Sequence, residues 1–144
     1  MAFHKEKKYA QKHQRKVMVD PVTERTVLQW AKEGEISCIK AFDIAKQLSV
    51  PVASIGTTMD LLDIKLTKCQ LGLFGHKPAK KLFKPLDQAD PEVKDAISKA
   101  LTNGRLSCKD AWDISSRCNV TKITVSSTCE LLGIKINHCQ LGAF

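Results

Sequence analysis

Residues 41–55 read AFDIAKQLSVPVASI, and residues 111–125 repeat the same pattern as AWDISSRCNVTKITV. In both stretches, apolar residues at helical spacing are interrupted by a short segment that begins with a turn-forming residue, SVP at 49–51 and NVT at 119–121. The helical spacing resumes directly after the interruption. The pattern therefore predicts two helices joined by a tight turn, and it predicts them twice in one chain.

These two stretches belong to a longer internal duplication. Shifted by 70 positions, residues 20–74 align with residues 90–144 without a gap, and 19 of the 55 aligned positions are identical. The longest identical run is CQLG, which begins at Cys69 and again at Cys139. An ungapped match of this length indicates duplication rather than chance similarity. We divide the chain accordingly into a tail (1–19), repeat one (20–74), a linker (75–89) and repeat two (90–144).

Each repeat is predicted to contain three helices followed by a strand, described here with the numbers of repeat one. Asp20 precedes a proline and is a good N-cap, and the helix that it begins is expected to end near Gly34. Ser37 is the expected cap of the second helix, and the third is expected to end near Leu62. Residues 64–71 alternate apolar and polar side chains, which predicts a strand. The same signals recur 70 residues later.

The paired-helix stretch resembles the helix-turn-helix superfamily, and within it the winged-helix variant. That family places a small residue inside the first helix of the motif, as at Ala45, and a small or turn-forming residue between the helices, as at Ser49. It also places an apolar residue at the centre of the second helix, as at Ile55. The resemblance implies a mainly α fold of two tandem three-helix helix-turn-helix (winged-helix-like) units, each followed by a short β-strand. The partner of that strand stays open: residues 35–37 of the same repeat, the other repeat, or none.

The resemblance also implies that the third helix of each unit enters the major groove of DNA. The polar residues expected to face outward on the two third helices are Ser54, Thr57, Thr58, Lys122, Thr124, Ser127 and Thr128. Serine and threonine discriminate bases weakly, and Lys122 is the one strong base-reading type in this set. Asp60 and Glu130 on the same helices would repel phosphate.

The net charge of +8 lies outside the two repeats. The tail carries +5 and the linker +3, whereas the repeats carry −1 and +1. A polyanionic partner is therefore expected, with phosphates contacted without sequence preference by the basic side chains of the tail and linker. These are Lys5, Lys7, Lys8, Lys12, Arg15, Lys16, Lys77, Lys80, Lys81 and Lys84. The alternative is a solvated tail that only keeps the protein soluble.

Taken together, these features predict a DNA-binding protein that acts as a transcriptional regulator. Helix-turn-helix dimers place two recognition helices about 34 Å apart, and here one chain carries both as a covalent pseudo-dimer. A fully extended 15-residue linker spans roughly 50 Å, which is long enough. RNA is an alternative partner. Two further alternatives are a non-catalytic adaptor that docks a partner protein and a regulator that responds to thiol oxidation or metal. The chain is expected to be a monomer or a homodimer.

Four of the six cysteines recur in both repeats: Cys38 with Cys108, and Cys69 with Cys139. The main expectation is that they are buried thiols at repeated packing sites. A four-thiolate metal site and a redox-sensitive pair within each repeat are the alternatives. The close Cys-x-x-Cys spacing typical of such metal sites is missing, so neither a metal nor a cofactor is assigned.

Several classes of protein are excluded by what the sequence lacks. The first residues, MAFHKEKK, are charged where a secretory signal would be apolar, and no apolar run reaches the roughly 18 residues that a membrane span needs. A cytoplasmic protein without a membrane partner is expected. Phosphate-binding glycine loops, His-Glu-x-x-His and Gly-x-Ser-x-Gly are missing too, so the chain is not expected to be an enzyme.

Overall fold

The computed structural model describes residues 20–76, 81–84 and 86–144. These residues are mainly helical with short strands, which confirms the predicted fold class at that level. Repeat one contains α1 (Pro21–Trp30), β1 (Glu35–Ser37), α2 (Cys38–Leu48), α3 (Val52–Leu61) and β2 (Lys65–Thr67). Repeat two contains α4 (Pro91–Ala100), β3 (Leu106–Ser107), α5 (Cys108–Cys118), α6 (Lys122–Leu132) and β4 (Ile136–Asn137).

The helices begin at the predicted caps. The Asp20 carboxylate accepts the N–H of Thr23 at 3.0 Å, and Ser107 Oγ accepts the N–H of Asp110 at 3.1 Å. Each bond satisfies an amide that the first turn of a helix leaves without a partner. The first helix ends earlier than predicted, at Trp30, because the backbone is already extended at the next residue. Gly34, at a φ of 74°, instead lies in the tight turn that leads into β1.

The strand after the third helix pairs within its own repeat. β1 pairs with β2 in parallel, with Ile36 opposite Leu66, and β3 pairs with β4 in the same way. This selects the first of the three possible partners. The predicted strand at 64–71 is too long, because a left-handed backbone at Lys68 (φ 50°) ends the extended stretch after Thr67. A parallel pair also differs from the antiparallel hairpin of a wing.

The described chain packs as two compact units that differ from the sequence repeats at their ends. Unit 1 combines residues 20–68 with Leu141–Ala143, and unit 2 combines the described part of 69–140 with Phe144. The CQLG motif of repeat one therefore packs in unit 2, whereas residues 141–143 of repeat two pack in unit 1. Sequence similarity gives no sign of this exchange, because both copies of the motif are identical.

In unit 1, the core holds the fully buried side chains of Val27, Ile44 and Ile55. Burying an aliphatic side chain of this size stabilises the fold by roughly 1.5–3 kcal/mol. Gly56 in α3 lies directly against the backbone of Leu141, so that a Cβ atom at position 56 would overlap the Leu141 carbonyl. The small residue at this position is what lets the terminal segment reach the helix.

In unit 2, the core holds Ile97, Ile114, Val125 and Leu71, all fully buried. Ser126 lies in α6 at the position of Gly56 in repeat one, and its hydroxyl donates to the carbonyl oxygen of Leu71 at 2.5 Å. The same position of the third helix therefore receives the leucine of a CQLG motif in both units. Gly56 leaves space for the backbone of Leu141, whereas Ser126 donates a hydrogen bond to the carbonyl oxygen of Leu71.

Candidate nucleic-acid interface

The turn that precedes each third helix is built the same way in both repeats. α2 closes on Ser49 and α5 closes on Asn119, each in the left-handed conformation with a φ of 54°. Asparagine tolerates this conformation better than most residues, and a left-handed residue is a common way to end a helix. The chain then turns within three residues, and the first turns of α3 and α6 begin at equivalent places in the two repeats.

Three of the seven predicted third-helix contacts are buried, so the expectation that they face outward is wrong. Thr58, Ser127 and Thr128 are at most 5% exposed. Thr58 and Thr128 each donate their hydroxyl to the carbonyl oxygen four residues earlier, at 2.8 Å in both cases. Ser127 Oγ accepts the backbone N–H of Lys84 at 2.7 Å. A hydroxyl that finds its partner on the helix backbone can be buried at little cost, which a polarity pattern cannot reveal.

The accessible residues lie toward the beginning of the third helices. Ser54 is exposed, and Thr57, Lys122 and Thr124 are partly exposed. The Thr124 hydroxyl lies 2.8 Å from that of Thr121, whose oxygen also caps α6. The structure thus leaves a shorter surface than the sequence predicted, made of the first turn of each helix and Thr57.

Lys122 is oriented by an aromatic ring. Its ammonium lies 4.6 Å from the ring centroid of Trp112, a geometry in which the ring quadrupole attracts the cation. This contact orients the ammonium group at the start of α6. The equivalent position in repeat one is Val52, which carries no charge. The two repeats therefore present different chemistry at the same place.

Most of the predicted basic contacts lie outside the described residues. This holds for the six tail residues and for Lys77 and Lys80 of the linker. Lys81 and Lys84 are described, and both are exposed. The ammonium of Lys81 lies 6.0 Å from the ring of Phe83, at the edge of the cation–π range.

Part of the linker is fixed on unit 2, which the sequence did not predict. The N–H of Leu82 donates to the carbonyl oxygen of Gly72 at 2.7 Å, two residues before the Lys84–Ser127 bond. Gly72 has a φ of 74°, and a Cβ atom there would overlap the carbonyl oxygen of Leu82 and approach Ile123 Cδ1 to 2.7 Å. The linker backbone therefore passes over α6 and contacts Ser127 in the middle of that helix.

The repeated cysteines are free thiols, and Cys38, Cys69 and Cys108 are buried whereas Cys139 is partly exposed. Burial raises the pKa of Cys69 and Cys108, and the nearby Cys139 raises both further. A raised thiol pKa disfavours the thiolate that a metal ligand or nucleophile requires. Among the described residues, no group of three or more His, Cys, Asp or Glu side chains could hold a metal ion.

The buried thiol of Cys129 gives a testable pH dependence. Burial raises its pKa from 9.0 to about 11, so the folded state keeps a proton that the unfolded state loses between these values. The free energy of unfolding should therefore fall as the pH rises from 9 to 11. Urea denaturation over this range should show a shallower pH dependence in Cys129→Ala than in the original chain. The same dependence of unfolding free energy on pH in both proteins would contradict a raised pKa of Cys129.

No family model, curated protein or solved structure matches the chain. Within the described ranges, no helix has the length and apolar character needed to cross a membrane.

Proposed function

We propose that the chain is a DNA-binding protein, a transcriptional regulator, whose repeats act as two tandem helix-turn-helix units. The observation that carries the proposal is the same helix, left-handed residue, three-residue turn and accessible first helical turn in both repeats. Helix-turn-helix proteins contact bases with the beginning of the recognition helix. The burial of Thr58, Ser127 and Thr128 is therefore compatible with this mode. It restricts contacts to the beginning of each helix.

In this mode the two units contribute unequally to base recognition. Lys122 supplies a charge-assisted donor for a phosphate or a guanine edge, and Thr124 supplies a hydroxyl. Repeat one offers only Ser54 and Thr57, which suit phosphate contacts better than base discrimination. The preferred site is thus asymmetric, with most of its sequence information in the half that repeat two contacts. We assign the chain no catalytic role.

The basic tail and linker supply most of the attraction to phosphates. The described repeats are almost neutral, so binding needs the +5 of the tail and the +3 of the linker. Lys81 and Lys84 are exposed next to the stretch that is fixed over α6. Both lysines are thereby held on the unit that carries Lys122.

Replacing all six basic tail residues by glutamine is expected to weaken DNA binding and its salt dependence together. Each lost phosphate contact reduces the slope of log K against log salt by about 0.9. Fluorescence anisotropy with a duplex at several salt concentrations measures both quantities. A tail of unchanged composition in scrambled order is the control and should keep the slope. An unchanged slope in the glutamine variant would show that the tail does not contact phosphates.

Docking of a partner protein is the second candidate, and a difference between the repeats favours it. Val22, Leu28 and Ile39 of repeat one are each about half exposed, at 52%, 51% and 46%. Their counterparts in repeat two are Glu92, Ser98 and Lys109, which are polar. Absence of duplex binding at low salt, in a chain shown to be folded, would favour this function over DNA binding.

A further inference from the structure

Unit 2 contains an open polar cavity of about 370 Å³ beside its parallel strand pair. β3 and β4 run in the same direction, so both strands finish at the same edge, with Ser107 opposite Asn137. The cavity extends along the strand pair, because half of its lining precedes β3 and the other half lies at or just after the strand ends. The residues that line it are Thr102, Asn103, Arg105, Ser107, Asn137 and His138.

The lining side chains are suited to an anion. They comprise a guanidinium, an imidazole, two carboxamides and two hydroxyls, with no carboxylate among them. Both described salt bridges involve other side chains, so neither engages Arg105. A guanidinium presents its N–H groups as a fork that matches two oxygens of a phosphate or carboxylate. The cavity is open to solvent, since Thr102, Asn103, Arg105 and His138 are exposed, and its volume exceeds what a bare inorganic ion needs.

The backbone around the cavity is well defined. Thr102 and Arg105 exchange two backbone hydrogen bonds, at 2.9 and 3.0 Å, across a turn that contains Asn103 and Gly104. Positive φ angles at both central residues, 53° and 76°, make this a type I′ turn. The N–H of Leu106 donates to the carbonyl oxygen of Lys135 at 3.1 Å, which ties this turn to the residues before β4. Arg105 thus projects from a turn that backbone hydrogen bonds hold in place.

Repeat one has the same backbone at these positions but the opposite chemistry. The turn at Lys32–Glu35 has the same pair of hydrogen bonds, and Glu33 has the φ of Asn103. Glu35 stands where repeat two has Arg105, and Glu33 stands where it has Asn103. Two carboxylates would repel an anion, so only repeat two is suited to bind one.

We propose that this cavity binds a phosphate group, held by Arg105 and His138 with the side chains of Ser107 and Asn137 as neutral donors. The remaining volume accommodates the molecule to which the phosphate is attached. The phosphate can come from a free phosphorylated compound or from the DNA backbone. With a free compound as the source, the inference goes beyond the proposed function; with the DNA backbone as the source, it rests on that function.

The test is a titration of the ¹⁵N-labelled full chain with inorganic phosphate, followed by amide NMR at constant ionic strength kept with sodium chloride. We expect saturable shifts at residues 105–108 and 137–138. Arg105→Glu, which installs the residue of repeat one, and the milder Arg105→Gln should each weaken binding by about tenfold or more. Lys94→Glu has the charge change of Arg105→Glu on an exposed side chain of α4 and should leave binding within about twofold.

A duplex arm distinguishes the two sources of phosphate. If the group belongs to DNA, duplex displaces inorganic phosphate and Arg105→Gln weakens duplex binding. If it belongs to a free compound, the protein binds duplex and phosphate together and Arg105→Gln leaves duplex affinity unchanged. Either outcome supports a phosphate site. The proposal is overturned if phosphate causes no saturable shift, or if the Arg105 variants bind phosphate as well as Lys94→Glu does.

Discussion

Gly56→Ala is expected to destabilise the protein by about 3 kcal/mol, although alanine normally stabilises a helix relative to glycine by about 1 kcal/mol. The sign reverses because an added Cβ would overlap the backbone of Leu141. A backbone carbonyl cannot rotate away as a side chain does, so either α3 or the terminal segment has to move. Adding one methyl group at position 56 is therefore expected to lower the free energy of unfolding substantially.

Equilibrium denaturation in urea measures this effect. Ser54→Ala is the matched control, since it introduces the same residue two positions earlier in α3 on an exposed side chain. We expect the control to change the free energy of unfolding by less than about 0.5 kcal/mol. A Gly56→Ala protein as stable as the control would contradict the close packing of Leu141 on α3.

Lys122→Glu is expected to weaken duplex binding by about tenfold or more, equivalent to ~1.4 kcal/mol. Lys122 begins α6, and the ring of Trp112 holds its ammonium at the accessible beginning of that helix. Reversing its charge replaces an attraction for DNA by a repulsion at the accessible first turn of α6. It should matter more than any other single substitution in the two third helices.

Lys94→Glu separates this local effect from the change in net charge. It alters the total charge by the same amount, and Lys94 lies in α4, outside the proposed interface. Duplex binding should fall by no more than about twofold in this control. Equal losses in both variants would mean that Lys122 acts only through the overall charge, and thermal unfolding of each variant excludes loss of the fold as the cause.

The local features of the fold were predictable because they depend on residues close together in the chain. Asp20 and Ser37 begin helices because their side chains accept amide hydrogen bonds within the next three residues. Ile44 and Ile55 are buried because helical spacing places them on the core side. Because each pattern recurs 70 residues later, each prediction rests on two copies of the sequence, which reduces the risk of a chance pattern.

The long-range features were not predictable from the same patterns. Leu71 and Leu141 have identical neighbours in sequence, and nothing local indicates that they pack in different units from the helices that precede them. The burial of Thr128 depends on a bond to its own helix, which polarity conceals. Arg105 and His138 line one cavity only because two strands about 30 residues apart pair in parallel.

The proposed DNA binding requires the beginnings of α3 and α6 to contact one DNA duplex together. The direct measurement is amide NMR of the ¹⁵N-labelled full chain, titrated with a duplex selected from a random pool for binding to this protein. We expect shifts at residues 52–54 and 122–124 that both saturate at one chain per duplex. Shifts confined to the tail, or shifts in only one of the two helices, would contradict the tandem helix-turn-helix account.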